Sequence, residues 1–140
     1  MSADEMKAKF EGKWKVYKSE NLDEILKALE IGFPLRKIAA QFSPVHTITI
    51  DGRKITLIIE TGPKKKEEDF LLDAEVDKKT EDGRDGKCMT TYTDGVWTTL
   101  TTPNDTTKSA ITVTRVIQGE DLVMTLSRGD VIGKRIFKRT

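Results

Sequence analysis

The sequence predicts an all-β protein: an antiparallel up-and-down β-barrel of about ten strands with a helical hairpin between its first two strands. Three observations carry this prediction. From about residue 45 to the end, apolar residues recur with a period of two. Tight-turn pairs punctuate that alternation at Asp51-Gly52, Asp94-Gly95, Gln118-Gly119 and Arg128-Gly129. The period changes once, near the start, where apolar residues take helical spacing instead. Short, evenly spaced strands joined by tight turns close most simply into a barrel, which leaves no sheet edge to aggregate.

Taken in order, "FEGKWKVYKS" alternates as a first strand, with Phe10 and Trp14 as its large apolar residues. In "SENLDEILKALEIGF", Leu22, Ile25, Leu26 and Leu29 recur at helical spacing. Asn21 with Glu24 reads as a capping box, and Gly32 as a stop. Pro34 suits the first turn of a second helix, whose apolar face would be Leu35, Ile38, Ala39 and Phe42, leaving Arg36 and Lys37 outside. Pro44 ends it, so the helical hairpin covers about residues 21–43. "HTITIDGRKITLIIETG" is a hairpin, and "KKKEEDFLLDAEV" a charged strand or strand pair. "DGRDGKCMTTYTDGVWTTLTT" supplies two strands and "AITVTRVIQGEDLVMTLSRGDVIGKRIFKR" three.

The 140 residues suit one domain, 1–140, with one core. Charged residues at 34% and hydrophobic residues at 36% are too apolar and too balanced for a disordered chain. A net charge of +1 argues against a dedicated nucleic-acid binder. The single cysteine, Cys88, excludes an internal disulfide and fits a reducing compartment. "MSADEMKAKF" has no apolar signal core, and no apolar run approaches the roughly 18 residues that span a bilayer. The expectation is a cytosolic monomer with no cofactor and no metal.

Strand periodicity puts charge on the inward faces. In "AITVTRVI", Ile111, Val113, Arg115 and Ile117 share a face. In "DLVMTLS" it is Leu122, Met124 and Leu126, and in the last strand Val131, Gly133, Arg135 and Phe137. The more apolar face of each strand should turn inward, so Arg115 and Arg135 face the interior. Burying an unpaired cation costs several kcal/mol, and arginine does not readily neutralise itself. A carboxylate on a distant strand, ordered water or a ligand anion must compensate. These three strands offer no interior acid of their own. Two guanidiniums facing one apolar space would receive a carboxylate with bidentate geometry, with Leu122, Met124, Leu126, Ile48 and Ile59 along an apolar tail.

These segments resemble the intracellular lipid-binding proteins, which include the fatty acid-binding and cellular retinoic acid-binding proteins. The resemblance runs from about Phe10 to Arg139, through "FEGKWKV", "SENLDEILKALEIGFPLRKIAAQFSP", "KKTEDGRDGK" and "DLVMTLSRGDVIGKRIFKR". It implies a calycin-like β-clam with a helical lid that carries a fatty acid or retinoid without catalysis. It implies that Arg115 and Arg135 bind the ligand carboxylate, that Leu22 and Leu26 of the lid line the cavity, and that Arg36, Lys37, Pro63 and Asp82 lie about the portal. The family's tyrosine, expected two residues beyond Arg135, is Phe137 here, so one hydroxyl donor is missing. The arginine pair favours an acid over an alcohol.

His46 shares a face with Ile48 and Ile50, which points it toward the cavity, as a structural residue rather than a proton shuttle. Cys88, Trp14 and Trp97 read as packing residues, and the "EDGRDG" acids Asp82 and Asp85 as a turn rather than a metal loop. The leading function is carriage of a long-chain fatty acid. The alternatives are a retinoic acid carrier, or a membrane-interacting structural protein docking on anionic lipid through Lys27, Arg36 and Lys37.

Overall fold

The computed structural model describes residues 2–80 and 83–140. Ten strands form one antiparallel sheet: β1 Gly12–Glu20, β2 Val45–Asp51, β3 Lys54–Thr61, β4 Lys64–Leu71, β5 Glu75–Lys79, β6 Asp85–Thr93, β7 Val96–Pro103, β8 Ile111–Gln118, β9 Asp121–Arg128 and β10 Val131–Arg139. Three helices accompany them: α1 Ser2–Phe10, α2 Leu22–Ala28 and α3 Phe33–Gln41. The strand order is β4-β3-β2-β1-β10-β9-β8-β7-β6-β5. Sequence neighbours therefore pair throughout except β4 and β5, and β1 also pairs with β10, which curls the sheet into a barrel. The β1–β10 register shifts between Val16 and Lys18, just past the last β1 residue paired with β2.

The barrel is nearly closed, and one expectation changes here. β4 and β5 are the two ends of the hydrogen-bonded order, so two edges remain. A single bridge between Leu72 and Thr90 joins the sheet's two ends nearby. The edge is protected by charge instead of closure, since Lys64, Lys65 and Glu67 of β4 are all exposed. "KKKEEDFLLDAEV" resolves into two strands.

The N-terminal residues differ more. Phe10 ends a helix that the period-two reading does not foresee. Met6 and Phe10 on α1 are fully buried, in one cluster with Trp14, Tyr92 and Trp97. A nine-residue helix would not persist alone in water. Burying these two side chains is worth roughly 3–6 kcal/mol, enough to order it against the barrel floor. Arg139 closes its C-terminus, donating to the Lys9 and Glu11 carbonyls at 2.9 Å each and stacking on Trp14 at 4.1 Å. β1 then starts at Gly12, where φ is +130° and a Cβ would come within 2.7 Å of the Arg139 guanidinium.

At the other end, the lid is held by contacts that sequence spacing does not reveal. Asn21 is the N-cap of α2, but in left-handed conformation, and its side chain donates to the Ile132 carbonyl at 2.8 Å instead of capping the helix. The expected capping box is therefore not formed. Nor does Gly32 stop the helix. α2 ends at Ala28, with Glu30 left-handed (φ 64°) and the amides of Glu30 and Ile31 returning to the Lys27 and Leu26 carbonyls, a Schellman arrangement. Glu30 tolerates that conformation because Lys108 holds its carboxylate at 2.6 Å and Arg128 at 3.5 Å. Gly32 instead caps α3, and Pro34 sits in its first turn as expected. α2 lies so close to β10 that a Cβ on Gly133 would fall 2.5 Å from Ile25.

α3 buries no residue. Phe33, Leu35 and Phe42 are exposed, and the expected apolar face does not pack inward. Arg36 turns in, donating to Asp23 at 3.1 Å and to the Ile31 carbonyl at 2.8 Å, so it ties α3 to α2. Among the described residues no helix is long and apolar enough to cross a membrane.

Candidate ligand-binding site

Beneath the lid lies a cavity of about 280 Å³. Leu22, Leu26, Leu29 and Ile31 form its roof from α2 and the turn after it. His46, Ile59, Ile111, Val113, Met124 and Leu126 line its walls, and Arg115 and Arg135 face into it. Of the residues expected to line it, Leu22, Leu26, His46, Ile59, Met124 and Leu126 do so. Ile48, Leu122 and Phe137 do not: they are packed in the core cluster, fully or almost fully buried. All three point inward as expected, but the barrel is filled at its floor, and only the half toward the lid is open. Of the portal residues, Lys37 and Pro63 are exposed. Pro63 follows Gly62, where a Cβ would come within 3.0 Å of the Phe42 ring. Arg36 is engaged in the helix–helix tie, and Asp82 lies outside the described residues.

Arg115 is only 5% exposed. Its register partner across β7 is Trp97, over whose ring the guanidinium stacks at 4.4 Å. Its Nε and Nη1 are buried with no hydrogen-bond partner, and among the described residues no carboxylate stands in ion-pair contact with it. Burial pulls its pKa down to about 10, opposed in part by the field of Glu68. It therefore remains a cation at neutral pH. Arg135 is less deeply set and better served: it donates to Ser19 Oγ at 3.2 Å and, at 3.5 Å, to the Ala39 carbonyl of α3. Burial lowers its pKa to about 10 as well.

Sequence reasoning finds the two arginines and misses their surroundings. Glu68 is an interior acid on a distant strand, paired with Lys66 at 3.2 Å. Both share the β4 face of buried Phe70, so period-two spacing in "KKKEEDF" carries the signal. Trp97 as the seat of Arg115 depends on the β7–β8 register, which the seven-residue connection 104–110 does not fix in the sequence. Arg128, a turn residue by its sequence position, is buried and donates to the Ala28 and Ser109 carbonyls at 3.0 Å each. It is a structural tie between β9 and the lid, and no local pattern distinguishes it from a solvated turn arginine.

His46 is 6% exposed, its ring 4.6 Å from that of Phe137. Burial, reinforced by the charges of Arg115 and Arg135, lowers its pKa to about 3. It is neutral at any ordinary pH. Among the described residues no group of three or more His, Cys, Asp or Glu could hold a metal ion. Cys88 is a buried packing residue, and Asp85 pairs with Lys79 at 2.8 Å.

The lipocalin / cytosolic fatty-acid binding protein family model matches residues 11–140. This chain belongs to that family. Its curated relatives include the 14 kDa fatty acid-binding protein of Schistosoma mansoni, 32% identical over 93% of this chain and 96% of the relative, and fatty acid-binding protein homolog 5 of Caenorhabditis elegans, 33% identical over 93% and 96%. Among solved structures, apo lipid binding protein 8 of Caenorhabditis elegans superposes with a TM-score of 0.88 at 25% identity, covering 95% of this chain and 96% of that one. The Schistosoma mansoni fatty acid-binding protein in complex with arachidonic acid superposes with a TM-score of 0.83 at 29% identity, covering 95% and 97%. Phe137, two residues beyond Arg135, is fully buried.

The buried histidine makes stability depend on pH. An unfolded histidine titrates near 6.5 and folded His46 near 3. Between these values the unfolded chain binds a proton that the folded chain refuses. The contribution is complete above pH 6.5 and is lost as pH falls toward 3. On going from about pH 7 to about pH 4.5 the delipidated protein should lose about 2–3 kcal/mol more unfolding free energy than His46→Gln. Urea unfolding of both at the two pH values measures it, and equal losses would contradict the neutral, buried state.

Proposed function

We propose that the protein is a cytosolic, monomeric carrier that holds one long-chain fatty acid noncovalently, with its carboxylate between Arg115 and Arg135 and its tail against Ile59, Met124, Leu126 and the underside of α2. One observation carries the assignment of the head-group end: a buried guanidinium facing the cavity with two of its nitrogens, Nε and Nη1, unpartnered. A ligand carboxylate supplies both the charge and the acceptors. The neighbouring Trp97 holds the guanidinium's face, so its edge is what remains for an anion. The fatty acid-binding relatives and the arachidonic acid complex of one of them support the choice of a fatty acid. His46 has no orienting carboxylate beside it, so the site is read as one for binding rather than catalysis.

Titrating delipidated protein with oleate checks this. Saturation at about one oleate per chain is expected, and Arg115→Leu and Arg135→Leu should each weaken it roughly ten- to hundredfold, the range for a hydrogen bond to a charged group. Retinoic acid is the comparison ligand, and tighter binding of retinoic acid than oleate would reassign the cargo.

The lid supports a second part of the proposal, transient contact with anionic membranes. Phe33, Leu35 and Phe42 are 65%, 52% and 41% exposed around α3, with Lys37 exposed among them. Apolar side chains beside a cation suit insertion at a lipid interface. Transfer of a bound fluorescent fatty acid to anionic vesicles should slow at least about threefold in Phe33→Ser/Leu35→Ser. A rate that ignores both the substitutions and the vesicle concentration would indicate diffusional release instead.

A further inference from the structure

We propose that His46 is the third head-group contact of this site, its neutral imidazole donating an N–H to the ligand carboxylate where Phe137 has no hydroxyl to give. The inference rests on the carrier reading above and deepens it.

Position comes first. β2 sets His46 opposite Trp14 of β1 and Ile59 of β3, and the side chain emerges on the cavity wall. Its ring lies at contact distance from that of Phe137, two residues along β10 from Arg135. An imidazole there stands close to where a hydroxyl on the Phe137 ring would reach.

Hydrogen bonding is the second consideration. Among the described residues neither ring nitrogen of His46 has a hydrogen-bond partner. Neither nitrogen is among the fully buried unpartnered atoms of the described residues, which are Tyr92 Oη, Trp97 Nε1 and the Nε and Nη1 of Arg115, so the polar edge of the ring is open to the cavity. Its neighbours in the core, Trp14, Ile59 and Phe137, offer no side-chain acceptor for its proton. The remaining direction is the cavity itself, which holds Arg115 and Arg135 as donors and Glu68 of β4, already engaged by Lys66.

Charge state decides the role. Burial, with the two guanidiniums adding to it, keeps the ring neutral, so it carries one N–H and one lone pair. The cavity wall also carries Glu68, held by Lys66, and the hydroxyls of Thr61, Thr99 and Thr101; an anion between the arginines is the acceptor that the proposal gives to that N–H. If His46 merely packs against Phe137, the consequence is different, because packing does not distinguish an acid from its ester.

The test is a set of dissociation constants at about pH 8, well above the range in which a histidine titrates, for delipidated wild type, His46→Leu, His46→Gln and His46→Leu/Phe137→Tyr, each with oleate and with methyl oleate. Circular dichroism of each variant checks folding. His46→Leu should weaken oleate roughly ten- to hundredfold while leaving methyl oleate within about twofold. His46→Gln, which keeps an N–H donor, should bind oleate within about fivefold of wild type. Phe137→Tyr in the His46→Leu background should recover most of the loss. Equal weakening of acid and ester, oleate binding by His46→Leu as tight as wild type, or no recovery on adding Phe137→Tyr would each overturn the proposal. If His46→Leu fails to fold, loss of oleate affinity by His46→Gln in step with loss of methyl oleate affinity overturns it. Wild type that binds no oleate sinks the carrier reading along with it; wild type that binds oleate while His46 variants do not differ sinks only this inference.

Discussion

The guanidinium of Arg115 sits where a protein interior would ordinarily refuse it. Desolvating a cation costs several kcal/mol, and good ion-pair geometry only sometimes recovers that cost. Here the recovery is partial. Trp97 offers its π-face and Glu68 its field from beyond contact, yet two nitrogens of Arg115, Nε and Nη1, stay buried and unpartnered. The fold therefore keeps, on the wall of its cavity, a desolvated cation with unpartnered donors, which under the proposed carrier role a ligand carboxylate would neutralise.

Two other interior-facing arginines set the scale. Arg128 is buried nearly as deeply but has carbonyl acceptors from Ala28 and Ser109, with Glu30 at the margin. Its charge is used up in fastening the C-terminus of α2 to β9. Arg135 is intermediate, donating to Ser19 and, at a longer distance, to the Ala39 carbonyl of the lid. The series from Arg128 through Arg135 to Arg115 runs from structural tie to unsatisfied receptor. Burial alone does not separate these roles; the hydrogen-bond inventory does.

The strand order and the inward arginines are legible in the sequence because both depend on a period of two and on short turns. Arg115 shares its face with Val113 and Ile117, and Arg135 shares its face with Gly133 and Phe137. Antiparallel pairing through β9 preserves that alternation, setting both arginines opposite Met124. What is not legible depends on tertiary contact. α1 is ordered by the burial of Met6 and Phe10 against distant Tyr92 and Trp97. Asn21 leaves its capping role for a carbonyl 111 residues away in sequence. Glu30 takes a glycine-like conformation because Lys108 and Arg128 hold it. Ile48, Leu122 and Phe137 fall outside the cavity because periodicity assigns a face but not a depth. Position along the barrel axis decides whether an inward side chain meets a ligand or the core.

If Arg115 is a receptor held at the expense of stability, removing its charge should relieve the fold. The direct measurement is the urea unfolding free energy of delipidated Arg115→Leu against delipidated wild type at neutral pH. The variant is expected to be the more stable, by about 1–4 kcal/mol, as when buried ionic groups are replaced by apolar ones of similar volume. A variant less stable than wild type would mean that the guanidinium is already satisfied without a ligand, and would contradict its role as an unfilled receptor.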